Sequence, residues 1–298
     1  MKSSVLTTQA IFDRYQSVRS RLPTTGESPK TVDINSLLDI ADRLDAFVFD
    51  AFGVLNVGDT LIEGADRRLS ELRRSGCAIR ILTNAASYDR SGAIEKFRRL
   101  GLDVLPNEII TSREATLNFV DDRHWGVIAA QEDALTDLPG TVTRLANDPN
   151  AYDAVDGFLF LSTSGWTDDR QDLLETSMGR RRRPLLIANA DIAAPRDDGF
   201  SLEPGYFGHL IADRFADQVR FFGKPFPEIY EIAETTLPGI PPHRIAMCGD
   251  TLHTDIIGAS SRGWKTVLVA RDGLFAGHDT TPFSKRSGLF ANWRVQRI

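Results

Sequence analysis

The chain has 298 residues, of which 42% are hydrophobic and 26% are charged. A chain of this length and composition can bury one large core or two smaller ones, which excludes an intrinsically disordered protein. The 35 basic and 41 acidic residues give a formal charge of −6, and no domain-scale basic block occurs, so we expect a small-molecule partner rather than nucleic acid.

The cysteines and the N-terminus bear on the compartment. Cys77 and Cys248 lie far apart in apolar runs without metal-ligand spacing, which favours a reducing compartment. Residues 1–20 lack the apolar core and the cleavage site of a signal peptide, and no apolar run reaches about 18 residues. We therefore expect a cytoplasmic protein that does not bind membranes.

The first predicted element is a polar helix around "TQAIFDRYQSVRSRL", which is followed by the loop "PTTGESPKTVD". Proline, glycine and serine mark that segment as a connection. Residues 1–37 are therefore predicted to form an N-terminal arm, which covers the core or contacts a second copy of the chain in a homodimer.

From residue 38 onward, short apolar runs alternate with helical stretches: "AFVFD", "GADRRLSELRRSG", "CAIRILTN", "SGAIEKFRRLG" and "EIITS". This alternation is typical of βαβ units, whose parallel strands are buried on both faces. The pattern resumes in "QVRFFGKPFPEIYEIAETTL", "HRIAMCGDTLHTDIIGASSRG" and "KTVLVARDG". The prediction is an α/β fold, a three-layer Rossmann-like core with a mainly parallel sheet. The strand-like runs of the middle segment continue the same sheet or form a separate α/β insert.

Polar groups follow four of the predicted strands. They are Asp50, Thr83, Asn84, Lys224 and Asp250, with Asp255 about one helical turn later. In open parallel sheets, ligand sites lie outside the carboxyl ends of the strands, so these groups are expected to converge.

The predicted set suits phosphoryl chemistry. A carboxylate such as Asp50 can attack phosphorus and form an aspartyl-phosphate, provided that its negative charge is offset. Mg²⁺ held by carboxylates, a lysine and hydroxyl or backbone donors supply that offset. Asp50, Thr83, Lys224 and Asp250 are the parts that such a site needs.

The segments "DAFGVL", "LTNAAS", "GKPFPEIYEIA" and "GDTLHTDIIGASSRGWKTVLV" resemble, in order and spacing, the four motifs of the haloacid dehalogenase (HAD) superfamily. Within it they resemble class IIA, the NagD and p-nitrophenylphosphatase-like branch. The resemblance spans about residues 45–275 and is most specific in the fourth motif.

This resemblance implies a domain organisation. Residues 38–112 and 206–298 would form the HAD core domain, and residues 113–205 would form an inserted cap of the C2 type that covers the active site and selects the substrate. The segment "IANADIAAPRDDGFSLEPG" looks like the Asn-Pro-Asp segment of the family, with Ala190 in place of the proline.

The resemblance also implies metal and catalytic roles. Asp50 would be the nucleophile and a Mg²⁺ ligand, the Phe52 backbone carbonyl a second ligand and Asp250 a third. Lys224 would neutralise Asp50 and the phosphate together.

For the remaining motif residues, the resemblance implies that Thr83 and the backbone amide of Asn84 hold phosphoryl oxygens. Asp255 would lie behind them and order a metal-bound water or Lys224.

The sequence departs from the family pattern at Phe52. Phosphatases of the superfamily carry a second aspartate there, which protonates the leaving oxygen and then activates water, and such help typically contributes 10²–10⁴-fold. Either the activity is weakened, another group supplies the proton, or the reaction needs none. His253 and Asp59 are candidate replacement acids.

The predicted function is a Mg²⁺-dependent hydrolase of a small phosphomonoester, of the sugar- or nucleotide-phosphate type, with activity reduced by Phe52. One alternative is attack of Asp50 at carbon, because the superfamily's 2-haloacid dehalogenases resemble "FDAYGTL" and release halide without a proton. Against it, this chain keeps an intact "GDTLHTD" and has no room for the dehalogenase cap after the first motif. The other alternative is a non-catalytic ligand-binding protein on this fold.

Overall fold

The computed structural model describes residues 6–25 and 29–298, and these contain an α/β fold with two mainly parallel sheets. The strands are β1 (Val32–Asp33), β2 (Ala46–Phe49), β3 (Asn56–Val57), β4 (Thr60–Leu61), β5 (Ala78–Thr83), β6 (Ile109–Thr111), β7 (Trp125–Ile128), β8 (Val142–Arg144), β9 (Gly157–Phe160), β10 (Leu185–Ile187), β11 (Ala193–Arg196), β12 (Gly199–Leu202), β13 (Val219–Phe221), β14 (Ile245–Gly249), β15 (Lys265–Val269) and β16 (Trp293–Val295).

The α-helices of the same ranges are α1 (Thr8–Ser17), α2 (Ala65–Arg74), α3 (Arg90–Arg99), α4 (Ser112–Leu117), α5 (Pro149–Ala154), α6 (Asp168–Arg180), α7 (Pro204–Phe215), α8 (Pro227–Thr235), α9 (Ile257–Ser261) and α10 (Thr281–Ser287). A π-helical turn, Leu252–Ile256, precedes α9. None of the helices in the described ranges combines the length and the apolar character that crossing a bilayer requires.

The core sheet has the strand order β1-β16-β15-β14-β2-β5-β6, and all of its neighbouring strands are parallel. Its central strands β2 and β14 are buried along their whole length, as expected for a sheet covered by helices on both faces. The prediction of a mainly parallel α/β fold from the alternating pattern is therefore confirmed.

The second sheet has the order β13-β10-β9-β7-β8 and is also parallel throughout. The strand β13 lies within residues 206–298, which the resemblance assigned to the core domain, yet it pairs with β10 and extends this second sheet. Strands β11 and β12 form a separate antiparallel hairpin. We call the second sheet, its helices and this hairpin the cap.

The predicted N-terminal helix is α1, and it contacts both parts of the molecule. The Thr8 hydroxyl donates to the Leu274 carbonyl on the core side at 2.8 Å. On the cap side, the Tyr15 hydroxyl accepts from the Ile192 amide at 3.1 Å, and Arg14 pairs with Asp213 of α7. Farther along the predicted arm, β1 joins the edge of the core sheet. The arm therefore bridges the core and the cap.

Candidate active site

Three carboxylates meet at the carboxyl ends of the central core strands. Asp50 follows β2 and Asp250 follows β14, and these two strands are hydrogen-bonded neighbours. Asp255 reaches the same point from the π-helical turn after β14. One oxygen of each carboxylate lies within 4.8 Å of the others. The topology thus brings together residues that are 200 positions apart in the sequence.

Lys224 is the cation of this cluster. Its Nζ lies 2.6 Å from Asp50 Oδ1 and 2.8 Å from Asp255 Oδ1, and its side chain is almost fully buried. Burial alone would lower the pKa of Lys224, but the nearby carboxylates of Asp255 and Asp50 outweigh it and raise the pKa. The lysine is therefore held as an ammonium against the nucleophile position.

The cluster has more negative than positive charge. Burial, with Asp255 adding to it and Lys224 opposing it, raises the pKa of Asp50 to about 6. Burial, Asp255 and Asp50 raise the pKa of Asp250 to about 8. Two buried carboxylates and the partly buried Asp50 facing one ammonium leave a negative site with hard oxygen donors, and this donor set fits a divalent cation such as Mg²⁺.

Backbone and hydroxyl groups fix the orientation of the carboxylates. The Leu274 amide donates to Asp250 Oδ2 at 2.6 Å, and the Thr251 hydroxyl donates to Asp250 Oδ1 at 2.9 Å. The Thr251 amide donates to Asp255 Oδ2 at 3.0 Å. The close approach at Asp250 requires a glycine, because a Cβ on Gly273 would lie 2.1 Å from Asp250 Oδ2.

Thr83 and Asn84 lie at the end of β5, beside β2, and both are buried. The Asn84 side chain holds the lysine loop, since its Oδ1 accepts from the Lys224 amide at 2.6 Å and its Nδ2 donates to the Lys224 carbonyl at 2.9 Å. Its Nδ2 also donates to Asp191 Oδ1 at 2.8 Å. The Asn84 side chain therefore connects the core to the cap, a role that the sequence did not indicate.

Asp191 is a cap residue of the site that sequence reasoning did not single out. It lines the catalytic cavity together with Asp50, Phe52 and Asp250, and that cavity has a volume of only about 10 Å³. Burial raises the pKa of Asp191 well above its usual value, with Lys224 opposing the shift. The signal was present in "IANAD", because the family pattern ends in an aspartate there.

The ring of Phe52 is half-buried and faces two cations. Lys96 Nζ lies 3.9 Å from the ring centroid, and the Arg196 guanidinium carbon lies 4.8 Å from it. Burial and the neighbouring Arg196 lower the pKa of Lys96 to about 8. Lys96 sits on the buried face of α3 between Ala93 and Phe97, and a lysine in an apolar stripe was the available signal.

His253, considered as a replacement acid, faces the N-terminal arm. Its ring is fully buried and stacks on Tyr15 with centroids 5.0 Å apart, and its Nε2 lies 3.1 Å from Gln16 Oε1. Burial lowers its pKa to about 3. Helix α1 covers this turn, so the ring of His253 packs against the arm. Asp59 is exposed in the loop between β3 and β4.

A parallel core sheet, an inserted cap and a carboxylate–lysine cluster at the strand ends define a hydrolase with a Rossmann-like core. Two family models match the chain: haloacid dehalogenase-like hydrolase over residues 47–147, and HAD-hydrolase-like over residues 221–287. The chain belongs to the HAD superfamily of hydrolases, in its class IIA branch, as the motifs predicted.

Characterised relatives and solved structures agree with this assignment. The chain is 26% identical over 231 residues to the acid sugar phosphatase of Staphylococcus aureus, covering 75% of this chain and 85% of that protein. It is 22% identical over 263 residues to the phospholysine phosphohistidine inorganic pyrophosphate phosphatase of Danio rerio, covering 87% and 94%. Its fold is similar to that of 4-nitrophenylphosphatase from Thermotoga maritima, with a TM-score of 0.68 and 20% identity over 87% of this chain and 96% of that one.

Proposed function

We propose that the protein is a Mg²⁺-dependent phosphatase that hydrolyses a small phosphomonoester through an aspartyl-phosphate on Asp50. The observation that carries the proposal is the meeting of Asp50, Lys224, Asp250 and Asp255 at one end of the core sheet. Relatives named as phosphatases of sugars and of phosphorylated lysine and histidine support the same reaction class.

In this proposal, an Asp50 carboxylate oxygen attacks phosphorus, the bond between phosphorus and the ester oxygen breaks, and the ester oxygen leaves as an anion that takes its proton from water. Water then attacks the aspartyl-phosphate, which releases inorganic phosphate and restores Asp50. Lys224 offsets the charge of Asp50 and of the phosphoryl group, which repel each other. Thr83 and the Asn84 amide bind phosphoryl oxygens at the end of β5.

Asp50, Asp250 and the Phe52 carbonyl are proposed to hold Mg²⁺, which neutralises charge on the phosphoryl oxygens when bound. Asp255 does not need to bind the metal, because its two oxygens already contact Lys224 and the Thr251 amide. Its proposed role is to keep the lysine in place.

Phe52 determines which esters react well. Its ring has no proton for the leaving oxygen, so an alcohol that leaves as a stable anion needs less help than an alkoxide. We expect a steep dependence of the rate on the pKa of the leaving group, with aryl esters well ahead of alkyl esters of the same size.

The presence of Phe52 at this position leaves two rival functions. Attack by Asp50 at a carbon that carries a halide would need neither the proton nor Mg²⁺, and a ligand-binding protein would show no turnover. We also propose that the protein acts in the cytoplasm, and that if it forms a homodimer the catalytic cluster is complete in each subunit.

The test is phosphate release from a panel of aryl and alkyl phosphomonoesters by purified protein, with Mg²⁺ and with a chelator. Asp50→Asn controls for contaminating phosphatase and retains the shape of the side chain. Turnover that requires both Asp50 and Mg²⁺ supports the proposal. Metal-independent release of halide from 2-chloropropionate, or no turnover by folded protein that binds Mg²⁺, would replace it with one of the rivals.

A further inference from the structure

Lys96 is a largely buried cation that lies against an aromatic ring. Only 7% of the residue is exposed, and it lies on the core-facing side of α3. Within residues 6–25 and 29–298, its ammonium forms no hydrogen bond or ion pair and lies over the Phe52 ring, and the carboxylates of Asp59, Asp50 and Glu203 attract it from farther away. The ammonium keeps access to solvent through a neighbouring cavity, so a bound anion can reach it there.

Arg196 brings a second positive charge to the same ring from the opposite side of the interface. It ends strand β11 of the cap, whereas Lys96 belongs to the core. The Arg196 guanidinium is paired with Glu203 at 2.9 Å. The two cations repel each other, so an anion bound between them would be attracted by both.

A cavity of about 290 Å³ lies beside Lys96 and is lined by Asp59, Tyr88, Lys96, Arg99 and Leu100. Its two basic residues outnumber its one acidic residue, so its net charge is positive. The much smaller catalytic cavity is lined by Asp50 and also by Phe52. Phe52 therefore lines the catalytic cavity, and Lys96 and Arg196 contact its ring.

We propose that Lys96 and Arg196 form an anion subsite that binds a second negatively charged group, a carboxylate or a phosphoryl group, on the alcohol part of the substrate. This inference rests on the proposed phosphatase function. The substrate class is then a small phosphomonoester that carries another anion a few bonds from its ester oxygen.

The subsite also explains the residue at position 52. An aspartate there would stand beside Lys96 and would pair with it, so this ammonium would not be available to the substrate. A phenylalanine keeps the Lys96 ammonium free of a carboxylate partner and contacts both Lys96 and Arg196 through its ring. With phenylalanine at position 52, the site has no proton donor there, and Lys96 is available to bind the substrate.

The experiment compares three esters that share a three-carbon skeleton: glycerol 3-phosphate, 3-phosphoglycerate and glycerol 1,3-bisphosphate. They carry a neutral hydroxymethyl group, a carboxylate and a second phosphoryl group, respectively. We expect kcat/KM to favour both bis-anions over glycerol 3-phosphate by about 10–100-fold, the value of one or two charge-assisted hydrogen bonds. The ratio between the two bis-anions identifies which anion the subsite takes.

Lys96→Met and Arg196→Gln are expected to bring this preference close to one, mainly by reducing kcat/KM for the bis-anions. Lys265→Met is the matched control, because Lys265 is half-buried at the start of β15 and the preference should be unchanged. Since Lys96 forms no hydrogen bond or ion pair in the described ranges, the unfolding temperature of Lys96→Met should stay close to that of the wild type. A preference that survives in Lys96→Met, or equal turnover of all three esters, would overturn the proposal.

A binding measurement separates this proposal from the proposed function. Titration calorimetry of the same three esters into Asp50→Asn with Mg²⁺ should show tighter binding of a bis-anion, and adding Lys96→Met should abolish the difference. Discrimination in binding without any turnover by the wild type would retain the subsite and reject the phosphatase. Turnover with no discrimination in either assay would retain the phosphatase and reject the subsite.

Discussion

Two charged clusters lie on either side of Phe52, and they are built in opposite ways. In the cluster of Asp50, Lys224, Asp250 and Asp255, the lysine contacts Asp50 and Asp255, and backbone amides donate to Asp250 and Asp255. Around Phe52, the Lys96 ammonium forms no hydrogen bond or ion pair in the described ranges, and it shares an aromatic ring with Arg196. The first cluster is organised before the substrate arrives, whereas the second holds Lys96 against an aromatic ring instead of a carboxylate.

The difference bears on how the two clusters are expected to work. Groups that stabilise a transition state are most effective when they are already oriented and need no reorganisation. Groups that recognise a substrate can remain unpaired until it binds, at a cost in stability. Three changes test the distinction, and a fourth concerns a group outside both clusters; they follow from the largest expected effect to the smallest.

Removing the ammonium of the first cluster should have the largest effect. Lys224→Met leaves three carboxylates facing the phosphoryl group, and we expect kcat/KM to fall about 10³-fold or more. Lys265→Met again serves as the control. Phosphate release at saturating Mg²⁺ measures the effect, and a loss below about tenfold would mean that the lysine is not part of the reaction.

Converting the second cluster into the usual family arrangement should change two properties in opposite directions. Phe52→Asp supplies a general acid, so hydrolysis of glycerol 3-phosphate should rise by up to about 10²-fold, whereas p-nitrophenyl phosphate, whose leaving group needs no proton, should gain little. The new carboxylate should also pair with Lys96 and reduce the preference for 3-phosphoglycerate.

Phe52→Asn is the matched control for that change, because it has the size and polarity of aspartate without the proton. It should reproduce neither the gain on the alkyl ester nor the pairing with Lys96. An equal gain with both substitutions would show that relief of bulk, rather than proton transfer, is responsible.

Mg²⁺ binding should stabilise the folded protein through the first cluster and not through the second. At Mg²⁺ about thirty times its Kd, linkage predicts a stabilisation of about 2 kcal/mol, because the ion binds the folded carboxylates and not the unfolded chain. Thermal unfolding with and without Mg²⁺ measures the shift. Asp250→Asn should abolish it and Lys96→Met should not, so an unchanged shift in Asp250→Asn would contradict the assigned ligand.

The smallest effect concerns His209, in the contact between the arm and the cap, outside both clusters. Burial, with Arg21 and Arg14 adding to it and Asp213 opposing it, lowers its pKa to about 3, and its ring stacks on Phe221. The unfolded chain therefore takes up a proton below about pH 6.5 that the folded protein does not.

Between about pH 7.5 and about pH 5.5, this difference should reduce the free energy of unfolding by about 1 kcal/mol. His209→Asn cannot titrate and should lose less stability over the same interval, as measured by urea unfolding at both pH values. Identical losses in the two proteins would place the acid sensitivity elsewhere.

Much of the catalytic side was predictable because it depends on local pattern. An apolar run that ends in Asp50 and another that ends in Asp250 predict strand ends, and parallel strands place such ends at one edge of a sheet. Once the fold class is known, the meeting of these two residues needs no knowledge of side-chain packing. The family motifs then added Lys224 and Asp255 to the same edge.

The contacts of the cap and of the arm were harder to predict from the sequence. Nothing local in "VRFF" shows that β13 would extend the second sheet rather than the core sheet. His253 was a candidate replacement acid, yet its ring stacks on Tyr15, which belongs to a helix more than 200 residues earlier in the chain. Such contacts arise from packing between distant elements, which sequence periodicity does not predict.

The sequence by itself thus determined the class of fold, the motifs and the absence of an acid at position 52. Only the tertiary structure decided what Phe52 faces, because Lys96 comes from a core helix and Arg196 from a cap hairpin, and their side chains meet only when the two parts close on each other. Strand ends follow from short-range pattern, whereas the surroundings of a side chain depend on every element packed around it.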